Sequence, residues 1–321
     1  MSHPALSASR LRRSRGVVVK VPATTANLGP GFDVLGLALD LWNEAEFDTA
    51  QNGKITVQVT GEGKDLLPTD EKNAVAAAAL RVYQLAGKDC PGLQIRCVNR
   101  VPLGSGLGSS SAAMLAGMLG ANALLGYPFS REEILKLAIE MEGHPDNVAP
   151  AMLGGLVASL AHDDHVVSLR LALTSRRSSI HVTVALPDFN LPTKQARAIL
   201  PQQIERKDAV YNISRAVLVT EAFRRGDLLM LGAAMEDRLH QPYRLPLIPG
   251  AQDAMQAMKK AGASAVALSG AGPSLIAFSA APESAIGEAA RRAFAQAGLN
   301  SRSFHLKISR RGAEVKASAV P

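Results

Sequence analysis

The 321-residue chain has only two cysteines, Cys90 and Cys97, and aromatic residues make up just 4% of it. Two thiols cannot build a disulfide framework and stand in no zinc-ligand spacing, which excludes small disulfide-rich scaffolds and zinc modules and predicts a reducing compartment, the cytoplasm. Scarce aromatics leave little material for the base-stacking platforms of single-stranded nucleic-acid binders. No apolar run approaches the roughly 20 residues that cross a bilayer, and no secretory leader precedes the first expected strand. No membrane partner is expected.

Charge of one sign is in excess, formally +7. More than half of that excess is Arg10, Arg12, Arg13 and Arg15, in a leader without acidic residues that is expected to be disordered over 1–15. The rest is scattered in short pairs such as Arg176-Arg177 and Arg310-Arg311, not gathered into a stripe. Such scatter argues against a nucleic-acid partner and fits a basic protein that handles small anions.

Hydrophobic residues, 47% of the chain, supply core for two domains. Strand-like stretches at 17–22, 34–42, 55–59, 93–98 and 156–160 alternate with helical ones at 73–85 and 110–125. A further helix starts at the Ser130–Glu133 capping box and stops at Gly143, with Ile134, Leu137, Ala138 and Met141 expected on its buried face. "AHDDHV" reads as the exit turn of a first domain over 16–165. A second unit over 166–321 shows a strand at 180–186, helices at 207–224, 226–239 and 251–261, strands at 264–268 and 274–278, a helix at 283–297 and a strand at 303–308. That order predicts a ferredoxin-like α+β domain.

Three glycine-rich loops punctuate these elements, at 27–31, 104–108 and 270–272. The central one, "PLGSGLGSSSAAML" from Pro102, lacks the lysine of the common phosphate-binding loop and breaks the dinucleotide fingerprint at Ser109. Gly104, Gly106 and Gly108 still permit positive φ and close backbone approach, and the helix that opens at the serines adds a positive dipole end. This is an anion cradle without a cation of its own, so a magnesium ion is expected beside a triphosphate. Glu142 falls four residues after Ala138, on the inward face, and is the expected carboxylate ligand, whereas Glu140 continues a polar face.

"HPDN" then places His144, Asp146 and Asn147 in an expected loop as substrate or metal groups. The loop "TTANLGPGFD" offers Asn27 and Asp33. In the second unit, "LPTKQAR" carries Thr193, Lys194 and Arg197, and "HQPYRLPLIPG" carries His240 and Arg244. Two such arginines could clamp a carboxylate bidentately. Gly270, Gly272 and Ser274 sit between two expected strands.

Together "VPATTANLGPGFDVLGLAL", "PLGSGLGSSSA", "EGHPDNVAPAMLGG" and "SGAGPS" resemble the GHMP kinase superfamily, and within it the homoserine kinase family. The resemblance runs from about Gly16 to near the C-terminus. It implies ATP-dependent phosphorylation of the side-chain hydroxyl of L-homoserine, a step of threonine biosynthesis, in a homodimer. It further implies an α+β fold of two domains, an N-terminal ribosomal-protein-S5-like domain and a ferredoxin-like C-terminal domain.

On the same resemblance Pro102, Leu103, Gly104, Ser105, Gly106, Leu107, Gly108, Ser109 and Ser110 wrap the nucleotide, and Ser110 and Glu142 hold magnesium, with Ser109 a competitor for the serine role. Asn27, Asp33, His144, Asn147, Thr193, Arg197, Arg244 and Gly270 match positions that line the homoserine pocket. Asp146, Asn147 and Asp33 are the candidates for the chemistry, with positioning expected to matter more than a strong base. Another GHMP enzyme with a different small alcohol, or a nucleotide sensor without turnover, are the rival readings.

Overall fold

The structure is a computed structural model that describes residues 16–162, 165–173 and 180–318. The basic leader and the Arg176-Arg177 pair lie outside the described residues. The chain begins with β1 (Val17–Ala26), β2 (Leu35–Thr49), β3 (Ile55–Gly61), α1 (Ala74–Leu85), β4 (Leu93–Asn99) and α2 (Ser109–Leu124). It continues with α3 (Arg131–Glu142), α4 (Pro145–Leu153), β5 (Leu156–His162) and β6 (His165–Leu171). The second unit runs β7 (His181–Pro187), α5 (Thr193–Ala198), α6 (Arg206–Arg225), α7 (Leu228–Ala234), α8 (Gln241–Arg244), α9 (Ala251–Lys260), β8 (Ala265–Leu268), β9 (Leu275–Ser279), α10 (Ser284–Gln296) and β10 (Ser301–Lys307), closed by β11 (Glu314–Ala317).

Local chemistry explains most boundaries. Asn73 caps α1 by accepting from Val75 N–H, and Ser130 with Glu133 forms the expected box on α3, which Gly143 ends in the left-handed region. Both early strands are longer than expected. Ala23–Ala26 stay in β1 because buried Thr24 and Thr25 pair with Ala38 and Leu37 of β2, which leaves only Asn27–Val34 as the connecting loop.

The first sheet has the order β11-β1-β2-β4-β3, with β5 and β6 branching from the other end of β2. Long β2 makes this possible, since Glu44–Thr49 pair with β4 and Leu35–Leu37 with β5. A division after residue 165 therefore cuts a hairpin, because β6 pairs with β5 along its length, and β11 returns from the far end of the chain to β1. The expected exit turn joins β5 to β6 in sequence, and its Asp163 and Asp164 lie outside the described residues.

The second sheet, β10-β7-β9-β8, is antiparallel throughout. Counted within that unit the order is fourth, first, third, second, as a ferredoxin-like β-α-β-β-α-β unit requires. One hydrophobic cluster joins the units, with Ala23, Leu28, Leu37 and Leu107 from the first and Phe223, Leu231, Ile276 and Phe278 from the second.

Three further expectations are corrected. The buried face of α3 is Ile134, Leu135, Ala138 and Ile139, because α3 is covered from two sides; Leu137 is half-buried against the same core, but Met141 turns to solvent. "HPDN" is not a loop: His144 is the N-cap of α4, and Pro145 occupies the first helical turn, where its missing N–H costs nothing. The helix expected over 226–239 is only Leu228–Ala234, because the Asp237 carboxylate captures the N–H groups of Leu239, His240 and Gln241 and reshapes the chain into the short α8.

Candidate active site

A cavity of about 330 Å³ opens between the two units, lined by all three glycine-bearing segments. On its floor Gly104, Gly106 and Gly108 have φ of 59°, 75° and 70°, the left-handed region in which glycine is unstrained. Gly108 is the N-cap of α2 and has no side chain to cap it, so the first N–H groups of the helix remain available to an anion. The loop is anchored from below. Thr24 N–H donates to the Leu107 carbonyl at 3.1 Å, and Ser269 Oγ donates to the Gly106 carbonyl at 2.7 Å.

Position explains Gly106 further, since a Cβ there would lie 2.2 Å from the Ser269 carbonyl oxygen. The expected nucleotide residues therefore divide. Gly104, Ser105, Gly106, Gly108, Ser109 and Ser110 line the cavity, while Pro102 and Leu107 are buried beneath it. Leu103 faces a neighbouring groove of about 610 Å³ that shares Gly104 with the cavity and includes Leu66, Phe189 and Asn190.

The Glu142 carboxylate closes one side of the cradle. It accepts from Ser111 Oγ at 2.9 Å and from Ser110 Oγ at 3.4 Å. Ser110 is exposed and lines the cavity with Glu142, whereas Ser111 is buried behind them and was not anticipated. A carboxylate beside a hydroxyl at the mouth of an anion cradle is a hard-oxygen donor set, and magnesium needs only one or two such protein ligands.

Beside the cradle, with Asn147 Oδ1 only 3.3 Å from where a Cβ on Gly108 would lie, His144, Asp146 and Asn147 project from the start of α4. His144 Nδ1 lies 2.7 Å from Asp146 Oδ1, whose residue is buried. Burial alone would lower the His144 pKa, but the hydrogen bond and charge of Asp146 outweigh it and raise it above 6.5. Asn147 Oδ1 accepts from Thr24 Oγ1 at 2.9 Å. This fixes the amide so that its NH₂ group is free for another partner.

The remaining wall is Asn27, Thr193, Arg197, Arg244 and the turn at Gly270. Asn27 and Asp33 adopt positive φ, 70° and 56°, which their short polar side chains tolerate. Asn27 Nδ2 donates to the Gly270 carbonyl at 2.8 Å, and its Oδ1 accepts from Asp33 N–H at 3.0 Å. Asp33 itself does not line the cavity; its carboxylate takes both arms of the Arg197 fork at 2.9 and 2.8 Å. That bond holds the Arg197 pKa above its ordinary value.

Arg244 is fully buried, and burial with the nearby Arg197 charge pulls its pKa down to about 10. It is still a cation at neutral pH. Phe32 lies under both arginines, its centroid 5.2 Å from the Arg244 guanidinium carbon and 5.8 Å from that of Arg197. Sequence reading missed Phe32, Thr24 and Ser111 because each acts on a residue far away in the chain and none stands in a recognisable spacing.

Two family profiles match in order: GHMP kinases N terminal domain over residues 73–155 and GHMP kinases C terminal over residues 219–298. The homoserine kinase of Moorella thermoacetica is 44% identical over 93% of this chain and 99% of its own length. That of Carboxydothermus hydrogenoformans is 43% identical over 92% and 96%. Among solved structures, homoserine kinase from Cytophaga hutchinsonii superposes with a TM-score of 0.84 at 32% identity, covering 97% of this chain and all of that one. A mevalonate kinase from L. major, at a TM-score of 0.67 and 16% identity over 96% of this chain and 98% of that one, shares the fold. The loops that meet in the cleft, the two-unit fold and these relatives agree: the chain belongs to the homoserine kinase family of GHMP kinases.

Proposed function

We propose that the chain transfers the γ-phosphoryl group of ATP to the side-chain hydroxyl of L-homoserine, yielding O-phospho-L-homoserine and ADP. The observation that carries this reading is that Arg197, held from behind by Asp33, and buried Arg244 line the same cavity as the cradle. An amino acid brings an ammonium and a carboxylate of its own. Its carboxylate can take up Arg244 and draw Arg197 off Asp33, whose carboxylate then meets the ammonium, so the internal ion pair is exchanged for two others and no charge is stranded. A hydroxy acid without the ammonium would leave Asp33 unpaired. Asn27 and Thr193 complete the wall against which the amino-acid end rests.

With the charged end held there, the hydroxyl points back toward α4 and the cradle. The α2 N-terminal amides and the loop amides receive the phosphates, and the groove beyond Leu103 receives the nucleoside. Magnesium, held by Ser110 and Glu142, supplies neutralisation of triphosphate charge when bound. The Asn147 amide, steadied by Thr24, orients the acceptor hydroxyl. Asp146, tied to His144, shapes that corner. Phosphoryl transfer demands alignment and charge stabilisation above covalent help, and that is what these residues provide.

The protein acts on this small molecule as a homodimer, a reading supported by the apolar face between the β5–β6 hairpin and α6. No helix among the described residues is long and apolar enough to cross a membrane. ADP release with ATP and magnesium, compared across L-homoserine, L-threonine, L-serine, shikimate and mevalonate, tests the proposal. Selective turnover of L-homoserine is expected. Turnover of another alcohol would retain the cradle and overturn the pocket, and ATP binding without turnover would favour the sensor.

A further inference from the structure

His240 does not line the cavity, yet it is completely buried and touches both halves of the amino-acid pocket. Its Nε2 lies 2.8 Å from the carbonyl oxygen of Gly29, in the loop that carries Asn27 and Asp33. Its Nδ1 lies 3.3 Å from Arg244 Nη1. The ring stacks on Phe32 at 5.2 Å and 24°. We propose that His240 is a positioning residue that, as a neutral imidazole, aims Arg244 at the carboxylate of the substrate. The inference rests on the reading of this cavity as an amino-acid site.

Hydrogen-bond bookkeeping fixes the tautomer. A guanidinium can only donate and a carbonyl can only accept, so Nδ1 must present its lone pair to Arg244 and Nε2 must carry the proton toward Gly29. Burial drives the His240 pKa down, the Asp237 charge pulls it up and the Arg244 charge pushes it down again, with a net lowering. A second proton on Nδ1 would set N–H against N–H and place two cations together in the core. Neutral His240 is the form that fits.

Arg244 is then held on three sides. Nε donates to the Ala196 carbonyl at 2.9 Å, and Nη1 is shared between His240 and the Gly270 carbonyl at 3.4 Å. The Gly270 carbonyl also accepts from Asn27, so the clamp and the ammonium side meet at one oxygen. Asp237 keeps His240 in place through the backbone, its Oδ2 accepting from His240 N–H at 2.9 Å and from Gln241 N–H at 2.6 Å. At 3.6 Å from Nε2 it does not bond the ring. A long arginine otherwise samples many rotamers, and fixing it beforehand removes that entropy from substrate binding.

Three variants of the full-length protein separate the contributions. His240→Asn keeps an acceptor near the Nδ1 position, His240→Gln keeps a donor near Nε2, and His240→Phe keeps the ring stack alone. Loss of a hydrogen bond to a charged group predicts a KM for L-homoserine raised roughly tenfold or more in the Gln and Phe variants. The Asn variant should stay within about threefold, and the KM for ATP within about twofold in all three. Thermal unfolding accompanies the kinetics, and if the Phe variant does not fold, the Asn against Gln comparison decides. Unchanged homoserine KM in the Gln variant, a parallel rise in both KM values, or no rescue by Asn overturns the proposal. Wild-type turnover of L-homoserine in the same assay tests the underlying reading separately; an inactive wild type overturns both.

Discussion

Asp146 and Asn147 adjoin in sequence and face the same cavity, but they are held differently. Asp146 is bonded to His144, while Asn147 is bonded to Thr24. Asp146 holds His144 and shapes the corner, so with alignment carrying the reaction Asp146→Ala is expected to lower kcat only several-fold. A loss near 10³-fold would make it the essential proton acceptor instead. The same pair predicts a pH dependence. Because the folded-state pKa of His144 is raised above 6.5, its bond to Asp146 contributes stability fully below about that pH and loses it as pH rises through the folded value. The Tm difference between wild type and His144→Gln should therefore shrink on going from acid to alkaline pH, and a difference constant with pH would contradict it. Sequence alone brought Glu142 forward at a helix end and His144, Asp146 and Asn147 in an expected loop, and all four line the one cavity. It could not separate a lining group from a supporting one: Asp33 stands behind Arg197, and Ser111, not only Ser110, bonds Glu142.

Among the elements, the glycine loop shows how one substitution separates backbone strain from packing. Gly87 and Gly106 both have positive φ, 62° and 75°, but a Cβ at Gly87 meets nothing within 4 Å, whereas one at Gly106 meets the Ser269 carbonyl oxygen at 2.2 Å. Gly87→Ala should cost about 1 kcal/mol in urea unfolding, from conformation alone. Gly106→Ala adds displacement of the second unit's turn and should cost about 2 kcal/mol or more, with kcat falling as the cradle shifts. Equal losses at the two sites would show that the contact between loop and turn is not stabilising. Composition and end signals located α1, α2 and α3: the alanine run closed at Gly87, the stop at Gly126 and Pro128 after α2, and the capping box and Gly143 of α3. They failed for α4, where Pro145 and Asp146 look like a turn until the preceding His144 is recognised as an N-cap, and for α7, where a single buried carboxylate redirects the chain.

At the scale of the whole molecule, the two-unit plan was legible from element order, but the return of β11 to β1 and the pairing of β6 were not, since short edge strands carry little pattern. That edge has a consequence. Among the described residues β6 pairs only with β5, and their register sets Leu160 opposite Val167 and Ala158 opposite Leu169, all on one face. Leu160, Val167 and Leu169 are exposed, as are Val210, Ile213 and Val217, which recur along one stripe of α6. Val34, Leu169 and Val217 line a common groove, at whose rim stand Arg170, Glu221 and Arg224. A rim with both signs can match itself across a two-fold axis, and an edge strand can continue its sheet with its own copy. Each apolar side chain removed fully from water there contributes at most about 1.5–3 kcal/mol, so it takes the whole patch from both copies to outweigh an association cost of roughly 4–15 kcal/mol. Sedimentation equilibrium should give twice the 33.7 kDa chain mass for the wild type and the single mass for Leu169→Glu combined with Val217→Glu. Both residues lie away from the cavity wall, so the monomeric variant should keep its KM for ATP. A wild type that sediments at 33.7 kDa, or a double variant that stays dimeric, would mean that two copies do not meet on this face.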